Sequence, residues 1–284
     1  MTDLCQPNAL DRYPLGRSDA ESRGLVLQNQ IYGPLTRQFL VTAGITRGMR
    51  VLDVGSGAGD VALVLADLVG PQGRVVGVDM NPEILDFARH RVATAGWENV
   101  AFHHVDLARL GWGHIEGIDD GGKFDAVVGR WVLMYLDEPT ALVRALRTRM
   151  RPGGIVAFQE SDLGQPVRAY PTAPHHDELA RLMSVDVASP ELEMGPKLFR
   201  TFIGAGLPTP ELRVDIPAGG GPNWPGYAYV AATAHSLRHF LAEAHGLRSE
   251  DLGLDTLESR LRNETLTRDG IQMLAPVVGA WART

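Results

Sequence analysis

The chain of 284 residues is 44% hydrophobic and carries a formal net charge of −7, so it has the apolar material for a large core. Its pI near 5.7 argues against a sequence-independent nucleic-acid binder, which needs a basic stripe to displace counterions. The single cysteine, Cys5, excludes internal disulfides and thiolate metal sites and suits a reducing compartment. No leader-like basic-then-apolar start and no bilayer-length apolar run is present, so a cytoplasmic protein without a membrane partner is expected.

The first 44 residues read as an N-terminal helical lid. Ser18-Asp19-Ala20-Glu21 is a capping box that predicts a helix over 19–31. A second helix is predicted from Pro34, a good first-turn residue, to Gly44. From Val51 to Phe158 β-rich runs at 51–54, 75–78, 100–105, 124–128 and 155–159 alternate with helical stretches at 59–69, 82–95 and 139–150. That alternation predicts right-handed crossovers and a parallel sheet covered on both faces. The densest basic run, Arg144, Arg147, Arg149 and Arg151, falls at a helix end and reads as a solvated face. Beyond Glu160, helices are predicted at 175–188 and 196–205, a strand at 211–216 and a hinge at Gly219-Gly220-Gly221-Pro222. An amphipathic helix over 225–245 and another over 255–266 follow. Ile271 to Trp281 is expected to form the last strand, with Pro276 at an edge or bulge.

The most informative stretch is Val51-Leu52-Asp53-Val54-Gly55-Ser56-Gly57-Ala58-Gly59. A short strand delivers an acid and then three alternating glycines, which let a backbone turn tightly and approach a ligand. The next strand ends in Asp79, placed to accept hydrogen bonds from the two hydroxyls of a ribose, so a nucleoside ligand is expected. A dinucleotide fingerprint requires a third glycine where this chain has Asp60, and a carboxylate there would repel a pyrophosphate. A Walker-type loop is excluded because no Gly-Lys-Ser/Thr follows.

These residues resemble motif I of the class I S-adenosylmethionine-dependent methyltransferases. The resemblance continues in order through Asp79-Met80, through Phe102 to Leu107, through Phe124 to Arg130, and through Arg151-Pro152-Gly153-Gly154 into a fifth strand. It covers about residues 45–160 and is nearest to the small-molecule, ubiquinone/menaquinone-biosynthesis branch. It implies an α/β fold with a Rossmann-like, mostly parallel seven-stranded sheet, helices on both faces, an antiparallel last strand and a mainly helical substrate cap. Residues 45–160 would be the cofactor-binding core. Residues 161–284 would complete the sheet and carry cap insertions at about 161–203 and 217–268. The implied cofactor is S-adenosyl-L-methionine, with S-adenosyl-L-homocysteine as product. Its expected contacts are Asp53, Gly55, Ser56, Gly57, Gly59, Asp79, Met80, Asp106, Leu107, Arg130 and Tyr13. Arsenite methyltransferases, which resemble the family but rely on several cysteines, fit less well.

Methyl transfer from a sulfonium is an in-line displacement, so the protein must align the reactants and keep them dry. A base is needed only for a protonated acceptor. The candidates are His175 and His176, after the fifth strand, and Glu160, with Asp162 beside it, at the expected crevice rim. Solvent-facing histidines and loop-bonded carboxylates are the competing readings. Arg130 would hold the methionine carboxylate or an acidic substrate, or else form an ion pair with Asp53 or Glu160. Trp131, Tyr135 and Trp224 are candidates for an apolar wall, or simply core. His235 and His239 share a predicted helix face but lack a third ligand, so no metal site is expected. The expected partner is a small-molecule methyl acceptor, O-, N- or C-nucleophilic, and a homodimer is left open. A non-methylating cofactor-dependent role such as a cyclase, and a nicotinamide-dependent oxidoreductase, are the alternatives.

Overall fold

The computed structural model describes residues 19–107, 118, 122–165, 167–183 and 192–284. Helix α1 (Asp19–Ala43) leads into β1 (Arg50–Val54), α2 (Asp60–Val69), β2 (Arg74–Asp79), α3 (Pro82–Thr94) and β3 (Val100–His104). Then come β4 (Phe124–Arg130), α4 (Pro139–Arg147), β5 (Met150–Ser161), β6 (Arg168–Tyr170), α5 (Pro174–Met183) and α6 (Met194–Gly204). The chain continues through β7 (Glu211–Asp215), β8 (Ala218–Gly219), α7 (Gly226–Ser236), α8 (Arg238–His245), α9 (Leu257–Thr267), β9 (Ile271–Met273) and β10 (Val277–Arg283).

Two compact units result. The described residues of the larger are 29–107, 118, 122–163, 193–216 and 276–284, and it holds a seven-stranded sheet of order β3-β2-β1-β4-β5-β10-β7. Strands β3, β2, β1, β4 and β5 pair in parallel, and β10 lies antiparallel between β5 and β7. Because strand side chains alternate, each strand feeds two apolar layers. Val51, Val75, Ala126, Val128, Ile155 and Ala157 pack with α1, α2 and α3. Leu52, Val54, Val76, Val127, Val156 and Phe158 pack with α4 and α6 on the other face.

Sequence chemistry explains the helix starts next to the site. Asn81 caps α3 by accepting from the amides of Glu83 (3.0 Å) and Ile84 (3.3 Å), with Pro82 in the first turn. Helix α2 begins directly after Gly59 with no side-chain cap, which leaves its first amides for another acceptor.

The described residues of the smaller unit are 19–28, 164–165, 167–183, 192 and 217–275. Among the described residues it contains the three-stranded sheet β6-β9-β8 and helices α5, α7, α8 and α9.

Several expected boundaries change. The helices predicted at 19–31 and from Pro34 are one helix with Pro34 inside it; the burial of Ile31, Tyr32, Phe39 and Leu40 outweighs the lost hydrogen bond. Residues from Asn29 therefore group with the core, and Ser18 of the proposed capping box lies outside the described residues. The helix expected over 225–245 divides at Leu237 into α7 and α8. The last strand divides at Pro276: β9 joins the small sheet, and β10 the large one. Arg151 to Gly154, read as a turn, counts within β5, whose pairing to β4 shifts register there.

Candidate functional site

Three consecutive alternations of left-handed backbone, Gly55 (φ 68°), Gly57 (φ 48°) and Gly59 (φ 82°), carry the chain from β1 into α2. Residues other than glycine rarely adopt these angles. The carbonyl of Val78 accepts from the amides of Gly55 and Ser56, both at 2.9 Å. Asp79, nearly fully buried, accepts from the Gly57 amide at 2.9 Å through Oδ2 and from the Asn81 amide at 3.0 Å through Oδ1. The strand-end acid is thereby tied to the glycine loop. Burial pushes the Asp79 carboxyl up from its ordinary value, opposed by the amides of Asn81, Gly57 and Met80. The amide of Val105 donates to the Asp79 carbonyl at 2.9 Å, which draws Asp106 and Leu107 to the end of β2. Met80 is half-buried there, its carbonyl 2.9 Å from His104 Nε2.

The side-chain alternation of β1, β4 and β5 sends Asp53, Arg130 and Gln159 to the same face as α1 and α2. Thr36 of α1 donates to Gln159 Oε1 at 2.7 Å and accepts from Arg130 Nη1 at 3.0 Å. Arg130 Nη2 lies 3.8 Å from Asp60 Oδ2, and its guanidinium sits 4.9 Å from the Trp131 ring centre. Asp60 also pairs with Arg91 at 2.7 Å, while Arg91 Nη1 donates to the Ala58 carbonyl at 2.6 Å. The carboxylate at the start of α2 is therefore charge-compensated by two arginines. Asp53 is fully buried, and the Ala62 amide approaches it without a well-aligned hydrogen bond. Burial pushes its carboxyl up to about 7; Arg130 opposes this, and the negative charges of Asp79 and Asp60 add to it.

Gly55 has a packing neighbour across the loop, and one expectation changes at Glu160. A Cβ at Gly55 would stand 2.5 Å from Val132 Cγ2, so the bare backbone there admits Val132. Glu160 was expected at a crevice rim. It lies within β5, is fully buried, and points to the face opposite Arg130 and Gln159, among Phe158, Val278 and Met194. Its Oε1 accepts from the amides of Val132 (3.0 Å) and Leu133 (2.9 Å). Burial pushes this carboxyl up to about 7, against the pull of the Leu133, Val132 and Met134 amides. Arg130, expected to hold the methionine carboxylate or an acidic substrate or else to pair with Asp53 or Glu160, forms an ion pair with Asp60 and acts electrostatically on Asp53.

His175 and His176 belong to α5 in the smaller unit and are not among the residues gathered at the glycine loop. His176 is fully buried: its Nδ1 lies 3.1 Å from Glu264 Oε2 and its Nε2 3.4 Å from Gln272 Nε2. Burial pushes this imidazole down, opposed by Glu264. Glu264 also accepts from the amides of His175 and His176, and Trp224 donates to Gln272 at 3.0 Å. His175 is half-buried, 3.7 Å from Glu178. Trp131 packs edge-on against Tyr32 at 4.8 Å, and Tyr135 packs against the core. His235 and His239 fall on different helices, α7 and α8, and no metal-binding cluster occurs among the described residues. Tyr13 lies outside the described residues.

Sequence reasoning missed Thr36, Arg91 and Val132. Their roles come from contacts between segments far apart in the chain; the available signal was a threonine on the buried side of a helix otherwise lined by Tyr32, Phe39 and Leu40.

A parallel sheet with a glycine turn after its first strand and an acid ending its second defines a Rossmann-like nucleoside-binding architecture. Residues 45–195 match the family model described as "Methyltransferase domain", and the chain belongs to that family, whose members use S-adenosylmethionine. It is 38% identical over 137 residues to an arsenite methyltransferase from Halobacterium salinarum, covering 48% of this chain and 31% of that protein. It is 32% identical over 119 residues to a ubiquinone/menaquinone biosynthesis C-methyltransferase from Pseudomonas putida, covering 42% and 44%. The chain thus spans less than half the length of these curated relatives. Among solved structures, the YcgJ protein from Bacillus subtilis aligns with TM-score 0.54 at 15% identity over 88% of this chain and 98% of that one. A SAM-dependent methyltransferase from Aquifex aeolicus aligns with TM-score 0.50 at 21% identity over 70% and 92%. At these identities the structures show a shared fold.

Proposed function

We propose that this chain transfers a methyl group from S-adenosylmethionine to an oxygen, nitrogen or carbon nucleophile of a small, largely apolar metabolite. One observation carries the reading: the 2.9 Å hydrogen bond from the Gly57 amide to Asp79 Oδ2, which couples the glycine loop to the acid suited to ribose hydroxyls. The residues present fit the donor. Asp79 keeps lone pairs beyond those used by Gly57 and Asn81, the half-buried Met80 and buried Leu107 offer apolar surface for an adenine, and α2 starts without a side-chain cap. Ser56, Asp106 and the guanidinium of Arg130 complete the proposed set.

When bound, the donor supplies an electrophilic methyl on a sulfonium. The chain's own task is to hold it in line with the acceptor and exclude water. A neutral amine needs no base at the glycine loop, whereas a hydroxyl or carbon acid must give up its proton. The quinone-type relative supports an apolar acceptor, whereas arsenite is disfavoured because the chain has a single cysteine. No helix among the described residues is long and apolar enough to cross a membrane, and the proposed setting is the cytoplasm. A homodimer remains part of the proposal. The edge strand β7, where Leu212 and Val214 are exposed, is its proposed site, and sedimentation velocity tests it.

Incubation with methyl-labelled donor and a panel of quinol, phenol and amine acceptors tests the reading. A mass gain of one methylene on an acceptor supports it. Donor binding without transfer to any acceptor class would favour the non-methylating alternative.

A further inference from the structure

Among the described residues of the larger unit, the carboxyl groups of Asp53 and Glu160 are wholly buried, and their surroundings differ. Asp53 shares its face of the sheet with Arg130, whereas Glu160 feels burial and three backbone amides, with no charged group among its influences. A general base must come within about 3 Å of the proton it removes. Glu160 instead faces the apolar layer under α6, and both hydrogen bonds it accepts come from the turn that follows β4.

That turn has a demanding shape. Trp131 holds a left-handed backbone (φ 54°), rare for a bulky residue, while its amide donates to the Gln159 carbonyl at 2.9 Å. The next two amides, of Val132 and Leu133, converge on Glu160 Oε1. With its backbone fixed in this way, Val132 fills the space over Gly55, where a Cβ would meet Val132 Cγ2 at 2.5 Å. Val132 Cγ1 also comes within 2.9 Å of a Cβ built at Gly129. A single carboxyl oxygen thus reaches the first glycine of the loop through one backbone amide and one valine.

We infer that Glu160 is a positioning residue: it clamps the Trp131–Leu133 turn so that Val132 presses on Gly55 and holds the glycine loop in its ligand-ready form. This rests on the donor-binding reading given above. It assigns Glu160 a role in the affinity for the donor and none in proton transfer.

The test is calorimetric titration of S-adenosylhomocysteine into the full chain and four variants, each checked by circular dichroism and thermal unfolding. Glu160→Leu deletes the acceptor and is expected to weaken binding about tenfold, the scale of a lost buried hydrogen bond. Glu160→Gln keeps a carbonyl for the two amides and should restore most of the affinity. Val132→Ala leaves Glu160 intact yet should weaken binding comparably, and it carries the test if the leucine variant does not fold. Leu146→Ala, on α4, lowers stability and should leave the affinity at the wild-type value. Wild-type affinity in both Glu160→Leu and Val132→Ala would overturn the inference alone. Failure of the wild type to bind would overturn the donor-binding reading and the inference together.

Discussion

Asp79 joins two tasks that are usually written separately. Its carboxylate satisfies the Gly57 and Asn81 amides, and in the proposed complex it also receives ribose hydroxyls. Asp79→Ala should therefore weaken S-adenosylhomocysteine binding by more than about tenfold, because it strips a partner from the loop as well as from the ligand; equilibrium titration reads this. Glu160 gives a pH prediction with a definite sign. Its folded-state carboxyl is raised to about 7 from an ordinary 4.5, so the folded chain binds a proton that the unfolded chain releases. Stability from this group is full below about 4.5 and is lost as pH rises through about 7. The ceiling is on the order of 3 kcal/mol. Urea unfolding should show wild-type stability falling across that window, with a smaller fall in Glu160→Gln. Asp53, also raised to about 7, adds a fall that both proteins share. The glycines and Asp79 were legible because conformational need marks them in the sequence. The real partners of Arg130 and Glu160 were not, because strand alternation sends neighbours 159 and 160 to opposite faces, and only the packed sheet shows which face holds what.

At the scale of elements, α1 is secured to the sheet by Thr36, which bridges Gln159 of β5 and Arg130 of β4. Thr36→Val preserves shape but leaves two buried polar groups short of a partner, with an expected cost of roughly 1–3 kcal/mol; thermal unfolding measures it. The strand and helix alternation from 51 to 158 was readable because hydrophobic period and glycine punctuation agree. The later elements were harder. Leu237 and Leu241 continue an amphipathic stripe across the break between α7 and α8, so periodicity alone runs through it. Pro276 marked an irregularity correctly, but not that β9 and β10 join different sheets. Pairing partners such as Gln272 with Ala169 and Val278 with Glu160 are a tertiary choice.

At the scale of the whole molecule, the larger unit carries the residues gathered at the glycine loop, while the smaller holds its own buried network of His176, Glu264, Gln272 and Trp224. That network makes His176 a support of α5. Replacing it with Ala should lower the melting temperature by several degrees, the effect expected of a kcal-scale loss, without altering affinity for the donor. The donor was legible from the order of motifs along the chain; the acceptor was not, because acceptor recognition has no comparable local signature. The most direct measurement is calorimetric titration of the full chain with S-adenosylhomocysteine and, separately, with NADH. Saturable binding of the first, weakened in Asp79→Ala, and no binding of the second are expected. Binding of NADH with none of S-adenosylhomocysteine would contradict the assignment.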